Sequence, residues 1–594
     1  MRNITAARYL ITTILGLNIF LFGGCQVSAD LYQTNAALSE TLKEGDAPTE
    51  PVAHSLSAHY LKARHALYEN DLSSASNAFQ ASLALDETSE SLLKQAFFIH
   101  YQNGALTKAQ QVATILENRN ISFPLSVEPA IGNSIVDGDW QAVLALATKL
   151  QTDQLYVGFA IALRSFAYVG QGEFETAIAE MEKLSEFMFT KTGIKTNPSV
   201  TLLKALLAEL SGQNDEAISL YEIVISAPDE TAFIAIRSGI GLARLGKAER
   251  ASAVLQERLS SNFNSMQIDS LLKTKYRKEE NKLNLQQAFS TIFLLSPSLI
   301  PGEKIQSLIL PRTHLAYSIC ADCDYVAYRL GQDLAKLGDI QASFAFLQAV
   351  STNSPWAQPA LLVKVNALDE SGRRDDAISL IDKILSETVQ SSNAHSNLAQ
   401  PFRLYQLNGN LHRYNGACDA AIPYYLKAER LRPQTVLTMR GLAICYEQTN
   451  NDIEAERLFL AVLEQAPEDA LTLNYLGYWW ADDGRKLDEA IELIKKAVAL
   501  RPSSGFYADS LGWVYYRLGR MDEAIRWLET AIQLAPTDAI ISDHLADAYW
   551  AVGRRLEARY KWQQALNLGL EDKERLATRK KLERAMSTGV DTVK

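Results

Sequence analysis

The chain has 594 residues, a formal net charge of −11 and a sequence pI of about 5.4. A chain of this length usually folds as several globular domains, unless its core grows in one dimension, as it does in stacked helical repeats. The acidic balance argues against a general nucleic-acid binder, because such a protein needs a basic face.

The first 24 residues have the character of a secretion signal. Two arginines precede an apolar stretch over residues 9–22, which is too short to span a membrane and is typical of a signal peptide. It ends in Leu-Phe-Gly-Gly-Cys at residues 21–25, which resembles a bacterial lipobox. The resemblance implies cleavage before Cys25 and a lipid on that cysteine; the alternative is an ordinary signal peptide with an incidental cysteine. Gln26, where an aspartate would signal retention, implies the periplasmic face of the outer membrane.

Residues 25–55 form the next segment, which is polar and contains Glu-Gly-Asp-Ala-Pro at residues 44–48. This composition predicts a flexible tether, and about thirty such residues reach roughly 30 Å. The folded part of the chain would therefore stay close to the membrane.

A small residue recurs at nearly constant intervals over residues 56–260. The steps are 34, 33, 35, 40 and 34 residues, and the members are Ala75, Ala109, Ala142, Ala177, Ala217 and Ala251. Intervals of this size are typical of stacked helix pairs, in which a small residue lies where two helices approach each other. We predict an N-terminal array of degenerate helix pairs here.

The period breaks over residues 261–320. A polar and charged stretch is followed by an apolar one that Pro297 and Pro301 interrupt. We interpret the segment as irregular helices that join two arrays. Its basic cluster at residues 273–282 is interpreted as a solvated helix face, with a membrane-facing patch as the alternative.

The period returns over residues 321–570, with an insertion around residues 386–400. Its small positions are Ala342, Ala377, Ala421, Ala455, Ala490, Ala524 and Ala558. Residues 571–594 are predicted to be a charged helix that caps the open end of the array, followed by a frayed tail.

Residues 433–570 repeat one pattern four times. Each copy of the repeat has a Leu-Gly or Leu-Ala pair, then an aromatic residue and then the small position, and three copies end with a proline. The aromatic residues are Tyr446, Trp480, Tyr515 and Tyr549. This pattern resembles the tetratricopeptide repeat (TPR) family. The resemblance implies an all-α superhelical solenoid of antiparallel helix pairs that binds other proteins.

A longer run is more specific. Three segments resemble a family of TPR lipoproteins of Gram-negative bacteria. They are Leu-Asn-Tyr-Leu-Gly-Tyr at residues 473–478, Asp-Ser-Leu-Gly-Trp-Val-Tyr-Tyr-Arg at 509–517 and Asp-His-Leu-Ala-Asp-Ala-Tyr-Trp at 543–550. One member type is an outer-membrane adaptor that presents cell-wall hydrolases to a periplasmic carboxyl-terminal processing protease. The resemblance implies that role. The alternatives are a scaffold for cell-wall synthesis or outer-membrane assembly, and an enzyme hidden in residues 261–320.

In the TPR family the first helix of each unit lines a binding groove. Carried over to this chain, the groove comprises Asn474, Tyr478, Asp482, Asp509, Trp513, Tyr516, Arg517, Asp543, Asp547 and Trp550. The set is aromatic and acidic, which predicts a partner segment with basic and apolar residues. The alternative is that Trp513 and Trp550 only pack against neighbouring helices.

Four cysteines remain besides Cys25. Cys418 opens the second helix of one unit and Cys445 lies late in the first helix of the next, so the antiparallel arrangement of the family implies a disulfide between them. Cys320 and Cys323 have redox-motif spacing, but a local disulfide or two thiols is favoured over an oxidoreductase site. The sequence contains no HExxH, phosphate-loop or G-x-S-x-G pattern, and we expect no metal, no cofactor and no catalysis.

Overall fold

The computed structural model of the chain describes residues 55–194, 196–227, 232–259, 282–300, 306–352, 354, 356–390 and 401–587. Within these ranges every regular element is a helix: there are 29 α-helices and two short 3-10 helices, and no strand. The prediction of an all-α fold is confirmed. No helix in the described ranges is long and apolar enough to cross a membrane. The proposed signal peptide, Cys25 and nearly all of the tether lie outside them.

The chain divides into two compact units at residues 399/400. The helices of the first unit are α1 Leu56–Tyr68, α2 Leu72–Leu85, α3 Glu90–Gln102, α4 Leu106–Asn118, α5 Glu128–Asp137, α6 Trp140–Leu150, α7 Val157–Gln171, α8 Phe174–Thr192, α9 Pro198–Leu210, α10 Asn214–Ser226, α11 Ala232–Arg244, α12 Ala248–Leu259, α13 Leu285–Leu299, α14 Gln306–Ile319, α15 Asp324–Lys336, α16 Ile340–Ala349, α17 Ala357–Glu370 and α18 Arg374–Gln390, with 3-10 helices at Pro124–Val127 and Gln154–Tyr156.

The second unit holds the clearest repeats. Its helices are α19 Pro401–Tyr414, α20 Cys418–Leu431, α21 Val436–Gln448, α22 Asp452–Gln465, α23 Ala470–Asp482, α24 Leu487–Leu500, α25 Gly505–Arg517, α26 Met521–Leu534, α27 Ala539–Ala551, α28 Arg555–Leu568 and α29 Asp572–Ser587. Helices α19 to α28 form five antiparallel pairs, each with a first and a second helix. Helix α29 follows the last pair.

Local signals explain where these helices begin and end. Gly519 ends α25 with a φ of 74°, a left-handed conformation that glycine adopts without strain. The Arg520 amide then donates to the Tyr515 carbonyl at 2.9 Å, which satisfies a carbonyl at the helix end. The side chain of Asp538 accepts from the Ile541 amide at 2.9 Å and so caps the start of α27.

The predicted small residues lie where helices pack most closely. Most of them are the fourth residue of a second helix, and those with 0% exposure are Ala75, Ala109, Ala177, Ala217, Ala251, Ala377, Ala421, Ala455, Ala490, Ala524 and Ala558. Gly477 shows how close the approach is: a Cβ there would lie 2.7 Å from Ile494 Cγ1 and 2.9 Å from the Ala490 carbonyl oxygen. The pair α23–α24 therefore depends on the absence of a side chain at this point.

Two of the predicted small positions are wrong by one residue. Ala142 and Ala342 are only half-buried, whereas the next residues, Val143 and Ser343, are fully buried as the fourth residues of α6 and α16. The Ser343 hydroxyl is accommodated because it donates to the Gly331 carbonyl at 2.7 Å. The prediction chose an alanine that precedes the buried residue by one position. Helix packing buries the residue that faces the partner helix, whether or not it is the smallest one nearby.

The segment predicted as a joint, residues 261–320, lies within the first unit, because the division between the two units falls at residues 399/400. Residues 261–281 and 301–305 lie outside the described ranges, but α13 and α14 pack within the first unit, with Phe289 stacked on Trp140 at 5.8 Å between ring centroids. Pro297 lies inside α13 and does not end it. These helices are apolar and bury that surface against each other and against α3, α5, α7 and α9. Helices α15 to α18, predicted to belong to the C-terminal array, are also part of the first unit.

Candidate partner-binding face

The groove residues predicted from the sequence lie on three consecutive first helices of the second unit: α23, α25 and α27. Polar contacts link each of these helices to the next, with sequence separations of 31 to 38 residues that extend to α29. We call this series the first-helix ladder. It consists of Asp482, Asp509, Trp513, Arg517, Asp543, His544 and Asp547; Thr578 and Lys581 of α29 contact its last two aspartates.

The step from α23 to α25 is the most exposed. The Trp513 Nε1–H donates to Asp482 Oδ1 at 3.3 Å, and Arg517 Nη1 donates to the Asp482 backbone oxygen at 2.6 Å and to its carboxylate at 3.3 Å. The Asp482 side chain remains 54% exposed. The backbone contact satisfies a carbonyl at the end of α23, and the exposed carboxylate can still accept hydrogen bonds from a partner.

The step from α25 to α27 is built around a histidine that the sequence analysis missed. His544 Nδ1 lies 3.0 Å from both carboxylate oxygens of Asp509, and the imidazole stacks on Trp513 at 4.2 Å between centroids. Burial lowers the pKa of His544, but the Asp509 carboxylate outweighs burial and raises this pKa above its ordinary value. Tyr516 stacks on Trp513 at 5.0 Å from another side. The result is an aromatic stack at the edge of the surface whose histidine is paired with a carboxylate.

The step from α27 to α29 pairs two carboxylates with one lysine. Lys581 Nζ lies 2.8 Å from Asp543 Oδ2 and 2.7 Å from Asp547 Oδ2, and the Thr578 hydroxyl donates to Asp543 at 2.8 Å. Trp562 Nε1–H donates to Asp547 Oδ1 at 3.0 Å.

The pKa values of Asp547 and Lys581 are both shifted by their surroundings. Burial and the neighbouring Asp543 raise the pKa of Asp547, against the opposing effect of Lys581. Burial lowers the pKa of Lys581, but the two aspartates outweigh burial and raise it. The lysine therefore stays charged, and it holds two carboxylates that would otherwise repel each other.

Asn474 and Tyr478 lie on α23 beside the ladder and are half-buried. Asn474 Oδ1 is buried and makes no hydrogen bond within the described ranges. Burial raises the pKa of Tyr478, and the carboxylates of Asp482, Asp509 and Glu574 add to the effect, so its hydroxyl stays protonated. The Tyr478 hydroxyl can therefore act as a hydrogen-bond donor, whereas the buried Asn474 Oδ1 is not accessible to a partner.

Trp550 does not join the ladder. It packs on Trp562 of α28 at 5.3 Å between centroids, and the Arg555 guanidinium lies 3.8 Å from its ring centroid. These contacts belong to the pair α27–α28 itself. The two predicted tryptophans thus have different surroundings: Trp513 links successive first helices, and Trp550 packs within one helix pair.

The structure joins both cysteine pairs. Cys418 at the start of α20 and Cys445 in α21 form a disulfide with their Cα atoms 4.9 Å apart, and Cys320 and Cys323 form one with a Cα separation of 5.4 Å. All four side chains are buried. The first disulfide ties two adjacent helices of the second unit, and the second closes the turn between α14 and α15.

The fold defines a class of protein, the helical-repeat proteins. Its marks are antiparallel helix pairs with a step of 34 residues, a buried small residue at a fixed helical position and a side-chain ladder along the first helices. Family models identify the particular repeat. A model described as "TPR repeat" matches residues 512–553, and one described as "Tetratricopeptide repeat" matches residues 407–470 and 454–505. Residues 407–505 and 512–553 therefore contain tetratricopeptide repeats, which are typical of protein–protein interaction scaffolds.

A curated relative also contains these repeats. The chain is 28% identical over 163 residues to the TPR repeat-containing protein PA4667 of Pseudomonas aeruginosa. The match covers 27% of this chain and 26% of that protein, so it spans about a quarter of the relative's length.

Among solved structures, the chain is similar to the "APC/C hetero-tetramer Cut9-Hcn1", at 16% identity and a TM-score of 0.37, with coverage of 90% of this chain and 97% of that one. It is also similar to "the Yeast Tom70", at 14% identity and a TM-score of 0.32, with coverage of 90% and 96%. These scores are too low to support any inference about partners.

Proposed function

We propose that this chain is a lipoprotein of the outer membrane, anchored through Cys25, that holds protein partners in the periplasm on the first-helix ladder. The lipobox-like residues 21–25 and Gln26 support the anchor and its location. The ladder carries the binding proposal, because it offers aromatic faces and carboxylates side by side near the surface. The partner segment should be basic and apolar. The chain itself is proposed to act without catalysis, cofactor or nucleic acid.

The specific partners that we propose are a periplasmic carboxyl-terminal processing protease and the cell-wall hydrolases that it degrades. The support is the resemblance of residues 473–550 to TPR lipoproteins with that adaptor role. An adaptor of this kind acts by proximity: binding the protease and a hydrolase to one tethered protein raises their effective concentration toward each other. Deletion of the chain should therefore raise the level of particular hydrolases without changing their synthesis. Unchanged hydrolase turnover would point instead to a scaffold for wall synthesis or outer-membrane assembly.

The binding surface is tested by pull-down from detergent-solubilised envelopes, read by mass spectrometry. Trp513→Ala removes the centre of the aromatic stack. Trp550→Ala is the matched control, since it removes the same side chain one helix pair further on but outside the ladder. We expect the first variant to lose partners and the second to keep them. If hydrogen exchange shows both variants folded and both retain every partner, the ladder is not the binding surface.

The anchor is tested by Cys25→Ser. The wild-type chain should fractionate with the outer membrane and the variant with the soluble periplasmic proteins. Recovery of the variant in the membrane fraction would mean that the attachment does not depend on a lipid at this cysteine.

A further inference from the structure

Helix α29, predicted from sequence only as an end cap, places one polar face on the ladder. The less exposed residues of that face are Glu574, Thr578, Lys581 and Ala585, spaced by four, three and four positions as one side of a helix requires. Thr578 and Lys581 bind Asp543 and Asp547 of α27. A helix that only caps the open end of a repeat array needs to cover apolar surface and needs no polar contacts with the array. The centre of this contact is polar.

The two aspartates of α27 require a cation from outside their own helix pair. Asp543 and Asp547 are four residues apart on one helix face, where like charges destabilise the helix. Their side chains are only 13% and 14% exposed. In the described part of the chain their one ion-pair partner is Lys581. Without α29 the surface would present two adjacent carboxylates with no cation between them, and a lysine from another chain could neutralise them.

The sequence of α29 matches the partner chemistry that the ladder predicts. Residues 572–587 carry six basic and three acidic side chains. Its C-terminal half adds apolar contact, since Ala585 is fully buried and Leu582 packs in a cluster with Tyr549 and Trp562. The connection from α28 passes through Gly569, which has a φ of 93°. A helix tethered by so short a connection has a high effective concentration, so individually weak contacts suffice to hold it.

We propose that α29 is an intramolecular ligand of the ladder, and that a basic helical segment of a protein partner displaces it and places a lysine between Asp543 and Asp547. The partner segment should resemble Thr-x-x-Lys-x-x-x-Ala, the spacing of Thr578, Lys581 and Ala585. This inference rests on the proposed role as a protein-binding scaffold. It adds that the surface is occupied until such a segment competes for it.

The test uses a fluorescein-labelled peptide of residues 571–587 and the full chain carrying Cys25→Ser. Peptide binding is measured by fluorescence anisotropy for this chain and for the same chain with Thr578→Ala and Lys581→Ala. Because a surface that is open for a tenth of the time binds about tenfold more weakly, we expect the variant to bind the peptide about tenfold or more tightly than the unmodified chain. Adding Asp543→Asn and Asp547→Asn should abolish binding, as should Lys581→Ala in the peptide.

Several results would overturn the proposal: equal affinities for the two chains, no binding to either, or binding that survives loss of the two aspartates. Hydrogen exchange of α27 and α28 is followed in parallel. If these helices lose protection in the Lys581→Ala chain, α29 is a structural cap and the proposal fails. Thr578→Val alone, which keeps the lysine, should give a smaller increase in affinity, and no change would count against the proposal. The assay contains no envelope protein, so its outcome is independent of the pull-down.

Discussion

A buried ion pair fixes α14 in the first unit and gives the sharpest test of the fold. Arg312 Nη2 lies 2.6 Å from Glu128 Oε1, its Nε lies 3.1 Å from Oε2, and the Tyr101 hydroxyl donates to Oε2 at 2.6 Å. The side chains of Arg312 and Glu128 are 1% and 0% exposed. The guanidinium also lies 4.3 Å from the centroid of the Phe159 ring. The pair joins residues 184 positions apart in the sequence.

Arg312→Met removes the cation and leaves the Glu128 carboxylate buried with one hydroxyl donor. Breaking a buried pair in this way costs about 3–5 kcal/mol, because the remaining charge is uncompensated. At about 1.4 kcal/mol for each factor of ten, amide exchange in α5 and α14 should accelerate by roughly two to three and a half orders of magnitude. The assay is hydrogen exchange of the full chain, read by mass spectrometry on peptides from these helices.

Two further variants separate the buried charge from a general loss of packing. A triple variant, Tyr101→Phe, Glu128→Leu and Arg312→Met, removes the three side chains that are hydrogen-bonded to one another. Replacing a buried pair by apolar groups is often neutral, so exchange should return to within about tenfold of the wild type. Arg373→Met breaks a pair with Asp376 in which the two side chains are 58% and 55% exposed, and this should cost less than about 1 kcal/mol. A change below tenfold for Arg312→Met, or a triple variant as unstable as the single one, would refute the reasoning.

The ladder, the close helix approach and one disulfide each give a further expected outcome. Asp509→Asn removes the carboxylate that raises the pKa of His544. The resulting loss of α27 protection should be largest at about pH 6 and should shrink as the pH rises through the folded-state pKa; a loss that grows with pH would contradict this sign. Gly477→Ala should destabilise α23–α24 by about 1–3 kcal/mol despite the better helix propensity of alanine, and slower exchange would argue against the close approach. Reducing Cys418–Cys445 should lower the unfolding free energy of the second unit by about 2–4 kcal/mol, seen as a lower urea midpoint; equal midpoints would show that this disulfide adds no stability.

The helix pairs and their order could be predicted from the sequence because their signals are local. A small residue every 34 positions, a glycine after a first helix and a proline after a second helix each act within a few residues of the structure that they specify. This is why nearly all the predicted alanines are fully buried at one helical position. The prediction is wrong at Ala142 and Ala342, because in both helices an alanine lies one position before the residue that faces the partner helix.

The candidate site could be predicted only in part. The sequence pattern placed Asp509, Asp543 and Trp513 on first helices, and the structure links all three into the ladder. It missed His544 and Lys581, because each acts through a contact with another helix more than thirty residues away. An ionisable side chain has no sequence signature for the partner that changes its pKa.

The sequence by itself determined that this chain is a series of antiparallel helix pairs, because the repeat period predicts which positions hold small residues and where each helix ends. Only the tertiary structure decided which pairs share a core. It placed α14 within the first unit through the pair Arg312–Glu128, and it placed α29 on the ladder through Lys581. The physical reason is that burial of apolar surface and compensation of charge depend on neighbours in space, and the period of a repeat describes only neighbours along the chain.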